Sequence, residues 1–437
     1  MRKIIQNIKK TDFLSNFLSI FTSNILLILI GLVFSVVLTR ELGPTDFGSY
    51  SILNYYTLFF VSFTELGIRQ STIFFSGKKI FNLNTLFSVN FYFWVFSSAI
   101  CVVLFLFLAF FKDLGFSIDL LLLSALIIPL SIANTYLNGL LYSANKIKKT
   151  ATYTFLNGLL KLLLLVLLIK VLDFRIYGAI ISIVGSFFIV LILKMFFLIK
   201  NRIIEFRLSF NFKVIKRVFS KGVLYSFSLF LLSNQKTIPV LLLAGKVSEA
   251  DIGFYSVALV FTSLLSKLNN SLSPLIFVTS SNTKDDKRSS ENIQKLMRVI
   301  VVFLVLICVV LSLGIDEVVK LVYGESFLYA SKIAIVLFIG LVFYNILLIL
   351  NMDIAGKGDT KTMLTCLVPV SFVNVLLNYI FISKYGVIGA ASATTISMIL
   401  ASAFFLFLYS KKIKTNITDI LMPKKTDWDF IKKIIDK

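Results

Sequence analysis

The chain has 437 residues, 58% of them hydrophobic and 15% charged, with a mean hydropathy of +0.92 and a formal net charge of +22. A soluble domain holds roughly 45 to 50% apolar residues, so a water-soluble globular fold is excluded and lipid is the main solvent. There is no histidine, which removes the usual near-neutral acid–base group and the commonest metal ligand.

The apolar runs are continuous, and each is long enough to cross a hydrocarbon core, which takes roughly 20 helical residues. Backbone groups in lipid must be satisfied internally, and continuous runs select helices over a closed barrel. The expected class is all-α, a polytopic membrane protein with about 12 transmembrane helices. The first fifteen residues carry Arg2, Lys3, Lys9 and Lys10, and the apolar run that follows is too long for a signal peptide, so it is expected to stay as the first helix.

Between charge clusters the first six spans fall near 17–38, 49–67, 86–110, 118–141, 150–170 and 177–199. A second six follow near 221–245, 252–278, 295–315, 330–352, 362–383 and 387–410. The expected division is an N-terminal six-helix bundle over 1–199, a basic connector over 200–220, a C-terminal bundle over 221–410 and an amphipathic tail over 411–437. In that tail, lysines alternate with Trp428, Phe430, Ile431, Ile434 and Ile435, the pattern of an interfacial anchor. Cys101, Cys308 and Cys366 each sit in an apolar run, where a thiol acts as a small hydrophobe, so neither a disulfide nor a metal site is expected.

Alternate loops differ sharply in basic content. The set containing the termini holds 32 of the 44 lysines and arginines, and the opposite set holds 8. The positive-inside rule therefore places both termini in the cytoplasm, with the chain in the cytoplasmic (inner) membrane. Basic loops facing anionic lipid account for the net charge, and nucleic-acid binding is not needed.

The halves echo each other. Asp46-Phe47-Gly48-Ser49-Tyr50-Ser51 recurs as Asp251-Ile252-Gly253-Phe254-Tyr255-Ser256, each expected to open a helix after a short external loop. Ala144-Asn145-Lys146 is matched by Ala355-Gly356-Lys357, and Gly178-Ala179 by Gly389-Ala390. Two pseudo-symmetric, parallel six-helix repeats follow, an arrangement that puts substrate between them.

Lys161, Lys236 and Lys267 fall near the middle of the fifth, seventh and eighth spans, where an ionised side chain costs roughly 2.5 to 3.5 kcal/mol unless it faces a bundle interior or wet cavity. Lys194 lies nearer a helix end, where snorkelling is the expectation. Glu65 and Arg69 are four apart, the spacing of a pair on one helix face. Apart from Asp119 at the very start of the fourth, Glu65 is the sole acid inside the expected spans, with Asp353 at an inner end, so a site of paired carboxylates for cations is poorly supplied. The functional expectation is a basic interior holding a phosphate or pyrophosphate, with Lys161, Lys236, Lys267, Arg69 and Glu65 as candidate substrate-binding residues. Packing against polar neighbours is the alternative for each lysine. Mid-span amides (Asn134, Asn138, Asn157, Asn234, Asn269, Asn270, Asn345, Asn374 and Asn378) suit either sugar hydroxyls or helix contacts, and none is assigned.

Leu38-Thr39-Arg40-Glu41-Leu42-Gly43-Pro44 running into Asp46-Phe47-Gly48-Ser49-Tyr50, and Glu65-Leu66-Gly67-Ile68 closing the second span, resemble the Wzx-type oligosaccharide-lipid flippases. These belong to the multidrug/oligosaccharidyl-lipid/polysaccharide (MOP) exporter superfamily. Tyr323-Gly324-Glu325-Ser326-Phe327, Asn374-Val375-Leu376-Leu377-Asn378 and Gly386-Val387-Ile388-Gly389-Ala390-Ala391 extend the resemblance over nearly the whole chain. It implies two bundles alternating access around a cavity, moving undecaprenyl-pyrophosphate-linked repeat units for O-antigen or capsule. It also implies no catalytic residue, no cofactor, and a pathway shared with a polysaccharide polymerase and glycosyltransferases.

Three alternatives are weighed. A multidrug-cation exporter of the same fold is expected to place carboxylates, not lysines, in its cavity. The lipid II flippases typically carry two further helices. A polymerase or ligase would be an enzyme with a sizeable external loop; the longest expected, Gly314 to Ala330 with Asp316, Glu317 and Glu325, reads as a cap on a bundle. Ala355-Gly356-Lys357-Gly358 lacks the elements of a phosphate-binding ATPase loop.

Overall fold

The computed structural model describes the backbone of residues 2–65, 67–282, 286–357, 359–424 and 427, and side chains within 26–65, 67–223, 226–266, 276, 290–357, 359, 361–424 and 427. The aromatic tail pattern over 428–435, the side chain of Lys267 and the side chains of Asn269 and Asn270 lie outside the described residues.

Among the described residues the chain is helical, without strands, and forms two compact units, 1–237 and 238–437. The first unit contains α1 (Arg2–Thr64), α2 (Ile68–Gly77), α3 (Leu83–Phe111), α4 (Ile118–Ser143), α5 (Ile147–Leu165), α6 (Arg175–Lys200) and α7 (Phe212–Asn234). A π turn, Val166–Val171, ends α5. The second unit contains nearly all of α8 (Thr237–Leu243), then α9 (Glu249–Asn282), α10 (Asp286–Tyr323), α11 (Tyr329–Gly356), α12 (Thr360–Ile413) and α13 (Ile417–Leu421). The division by contacts thus falls inside the seventh expected span and groups α7 with the first six.

Nine segments among the described residues are long and apolar enough to cross a bilayer. Two of these, Leu26–Gly77 and Lys361–Ile413, each run through a corner as a pair of limbs, which makes eleven apolar limbs among the described residues. The loops expected after the first and eleventh spans are absent. Instead α1 turns at Gly43 (φ 70°, ψ 179°) and α12 at Gly386 (φ 55°, ψ −133°). Positive φ is open to glycine at little cost, and Pro44 follows the first corner as the opening residue of the next limb, where its missing N–H is no loss. The expected external loop Gly314 to Ala330 is also mostly helix, because α10 runs to Tyr323 and α11 resumes at Tyr329.

The apolar medium dictates how polar side chains are satisfied. Thr39 and Thr57 donate back to the i−4 carbonyls of Ser35 (2.8 Å) and Leu53 (3.0 Å), and Asn345 does the same to Leu341 (2.7 Å). Where helices meet water, Asn82 and Asp359 cap α3 and α12 by accepting from the N–H groups of Thr85 (2.7 Å) and Thr362 (3.2 Å).

The glycines matched between the halves do matching work. A Cβ on Gly178, in the first turn of α6, would stand 3.2 Å from the backbone of Leu168 in the preceding helix. On Gly389, in the first turn after the Gly386 corner, it would stand 2.1 Å from the carbonyl oxygen of Phe381. Each lets its helical limb start hard against the segment before it.

Candidate functional site

The first unit carries most of the candidate residues. Glu65 and Arg69 do pair, with Arg69 Nη2 3.1 Å from Glu65 Oε1 and both side chains about a third exposed. They do not share an unbroken helix face, however. Helix α1 stops at Thr64, Gly67 takes a left-handed conformation (φ 66°), and Arg69 belongs to α2. The interruption diverts the Ile68 N–H from the Thr64 carbonyl to that of Glu65 (3.1 Å), and Tyr136 of α4 donates its hydroxyl toward both carbonyls, at 3.2 and 3.5 Å. A buried backbone break needs such a donor, since neither carbonyl has the full helical partner set.

A second break lies in the seventh span. Helix α7 ends at Asn234 and α8 begins at Thr237, which leaves Gln235 and Lys236 in the turn. Lys236 is half-buried, and both amide atoms of the fully buried Gln235 lack a hydrogen-bond partner among the described residues. The amide of Asn234 donates to Ser62 Oγ (2.8 Å), which ties the α7 end to α1 one turn before the first break. Phe230 wedges edge-on between Phe59 and Phe63, with ring centroids 5.6 and 5.7 Å away.

Lys161 sits one turn before the end of α5 and is half-buried, its ammonium 4.0 Å from the ring centroid of Phe34 in the first limb of α1. An aromatic face offers a cation partial compensation without a counter-ion. Helix α1 packs against both α5 and α7, so it lies between the elements carrying Lys161 and Lys236. The structure therefore pairs Glu65 with Arg69 and sets Lys161 and Lys236 on separate neighbours of the same long helix.

Lys194 departs from expectation. It does not snorkel: it is 3% exposed, and its ammonium donates to Asn134 Oδ1 at 2.9 Å and to the Asn134 carbonyl at 3.4 Å. The Asn134 amide nitrogen in turn donates to the carbonyls of Leu130 and Phe187, both at 2.9 Å, so one side chain serves α4 and α6 together.

The second unit holds two polar clusters, of which spacing reveals only the Asp353–Lys357 pair, four apart. Asp353 is fully buried and accepts from Ser290 Oγ (2.8 Å), Tyr409 OH (2.7 Å) and Lys357 Nζ (3.1 Å), joining α10, α11 and α12. Arg298 of α10 makes a two-point bond to Asp427, Nε to Oδ2 at 2.7 Å and Nη2 to Oδ1 at 2.6 Å, with both side chains under 5% exposed. Its remaining nitrogen, Nη1, donates to the carbonyls of Asp419 (2.9 Å) and Ile420 (3.3 Å) at the end of α13. The described part of the tail is therefore folded onto α10 and α12. Burial pushes the Asp427 carboxyl up, but the bonds from Arg298 and from the Lys424 N–H outweigh it and hold the group below its ordinary value. Among the amides, the side chain of Asn374 finds no hydrogen-bond partner among the described residues, while its backbone carbonyl accepts from the Asn378 side chain (2.8 Å).

Among the described residues no group of three His, Cys, Asp or Glu side chains is placed to hold a metal ion. These features define a multi-pass α-helical membrane protein with hydroxyls, amides and a few basic groups packed among its helices. Residues 37–332 match the family described as polysaccharide biosynthesis protein, and the chain belongs to that family. A relative from Shigella flexneri, named for O-antigen transport, is 27% identical over 413 residues, covering 86% of this chain and 92% of its own. The fold is that of MOP-superfamily transporters. A solved lipid II flippase MurJ in an inward closed conformation superposes with a TM-score of 0.72 at 21% identity, covering 97% of this chain and 92% of that one. An inward-facing multidrug resistance transporter of the superfamily gives 0.69 at 15% identity, covering 91% and 98%.

Proposed function

We propose that the chain is a flippase that moves a polyprenyl-pyrophosphate-linked oligosaccharide repeat unit from the inner to the outer leaflet of the cytoplasmic membrane, with both termini in the cytoplasm. The observation that carries this reading is the charge placement in the first unit. Lys161 and Lys236 lie near the middle of their expected spans, Arg69 pairs with Glu65, and the one further acid within an expected span of that unit, Asp119, stands at the very start of its helix. Such an interior favours an anionic group and disfavours an organic cation. Membership of the polysaccharide family and the MOP transporter fold support the same class of cargo.

On this reading the chain makes and breaks no covalent bond. Its residues neutralise the pyrophosphate while the sugars stay in water and the polyprenyl tail stays in lipid. Moving negative charge outward across an inside-negative potential contributes roughly 2.3 kcal/mol per charge per 100 mV crossed.

The test is translocation of a fluorescent polyprenyl-pyrophosphoryl oligosaccharide in proteoliposomes, comparing the native chain with a folded Lys161→Ala, Lys236→Ala, Lys267→Ala variant. Transport lost in the variant supports the reading. Equal transport in both removes these lysines from the mechanism, and export of an organic cation with no lipid-linked sugar moved overturns it.

A further inference from the structure

A cluster of cations at one end of the first unit is not accounted for by the interior lysines. The ammonium groups of Lys78 and Lys221 both lie 4.7 Å from the ring centroid of Phe74, so they stand no more than twice that distance apart. The Arg217 guanidinium lies 5.8 Å from the rings of both Phe75 and Phe81. The cations come from two elements, Lys78 from the end of α2 and the other two from α7, and all three are exposed while Phe75 is 3% exposed. Among the described residues, none of the three has an acidic partner.

Helix electrostatics explains Lys78 alone. It is the C-cap of α2, where a cation is favoured. The opening turns of α7 hold Lys213, Lys216, Arg217 and Lys221, with no acid in the first turn, against the preference of a helix N-terminus for negative charge. Geometry brings the two sets together. Gly67 and Gly222 meet backbone to backbone, and side chains on α7 slant toward its N-terminus, which carries Lys221 along α2 to Phe74. The result is three like charges from two helices converging on adjoining aromatic rings, whose mutual repulsion a shared, multiply charged anion relieves. On the positive-inside assignment this platform lies at the cytoplasmic headgroup level, where aromatic rings are favoured.

We propose that Lys78, Arg217 and Lys221, gathered on Phe74, Phe75 and Phe81, form a loading site that receives the diphosphate headgroup of a membrane-inserted polyprenyl lipid before it is moved. The choice of headgroup follows from charge. A phosphodiester brings one negative charge to three cations, whereas a diphosphate brings more charge and more acceptor oxygens. The site deepens the flippase reading and rests on it for the identity of the lipid. It lies on the same short helix as Arg69, nine residues or about 13 Å of helical rise from it.

The test is native mass spectrometry of the full chain in detergent, titrated with geranylgeranyl diphosphate and, separately, with phosphatidylglycerol. Lys78→Gln, Arg217→Gln, Lys221→Gln is compared with a control that removes the same charge nearby, Lys79→Gln, Lys213→Gln, Lys216→Gln. The cluster variant is expected to lose about tenfold or more in diphosphate affinity and the control less than about twofold, since charge-assisted bonds outweigh diffuse attraction. Equal losses in both, or no loss in either, overturn the site, as does equal binding of phosphatidylglycerol at the cluster. Should the triple variant not fold, Lys78→Gln and Lys221→Gln singly carry the test, with about threefold expected from each. Diphosphate bound through the cluster by a chain that moves no lipid-linked sugar would sink the flippase reading and leave the site standing. Transport and binding both unaffected by the cluster variant would do the reverse.

Discussion

Gly67 of the turn before α2 and Gly222 of α7 touch without side chains between them: a Cβ on Gly67 would stand 2.3 Å from the Gly222 carbonyl oxygen, and one on Gly222 would stand 2.7 Å from the Gly67 oxygen. Gly222→Ala must push the helices apart, and overpacking of this kind costs about 2 kcal/mol. Gly67→Ala adds a left-handed φ, for about 1 kcal/mol more. Both are expected to lower the thermal midpoint in detergent, Gly67→Ala the further. An unchanged midpoint in Gly222→Ala would show that α2 and α7 are not held at this distance.

The matched glycines of the two units make a paired prediction. Gly389→Ala places its methyl at 2.1 Å from a backbone oxygen, while Gly178→Ala meets side-chain and backbone atoms at 3.0 to 3.2 Å. Overpacking costs typically 1–3 kcal/mol, so Gly389→Ala is expected near or above the top of that range, about 3, and Gly178→Ala near the bottom, about 1. Thermal unfolding of the two single variants checks the order, and the reverse order would count against the described packing of α12.

Lys194 and Asn134 form a buried pair with no described carboxylate in the bond. A double-mutant cycle of Lys194→Met and Asn134→Leu is expected to give a coupling of about 1 to 2 kcal/mol in unfolding free energy, near the upper end for hydrogen bonds between membrane helices. A coupling near zero would return Lys194 to the role of a snorkelling residue.

Asp427→Asn leaves the Arg298 guanidinium buried without its counter-ion, a loss of about 3 kcal/mol. Hydrogen exchange in Ile417–Leu421 is expected to rise in this variant.

The pH response of the same contact follows from sign. The Asp427 carboxyl is depressed in the folded chain below the 3.8 of a free aspartate. Its contribution is complete above that unfolded value and is lost only as pH falls through the folded one. Protection of Ile417–Leu421, corrected for intrinsic exchange, is therefore expected to be constant from about pH 8 to about pH 5. A drop in protection over that range would exclude the carboxyl as the tether.

Much of the fold was legible because lipid imposes one rule on every segment: a long apolar run must be a helix. The misreadings lie where a single residue overrides composition. Gly43 and Gly386 each turn the chain without a loop, and composition alone does not distinguish a one-residue corner from a short connection. The Glu65–Arg69 spacing read correctly as a contact, while the break between them depends on Gly67 meeting Gly222, 155 positions away. Lys161 and Lys236 stood out as charges in apolar runs. Arg298 and Asp353 did not, because each lies near an expected span end where charge is ordinary, and their partners Asp427 and Tyr409 are distant in sequence.

The two glycine corners also bear on how each unit moves. A corner of one residue has no slack, so the two limbs that meet at Gly43, like those that meet at Gly386, stay joined end to end and cannot slide past one another there. What a glycine corner leaves free is the angle between its limbs, which makes each corner a fixed pivot rather than a tether.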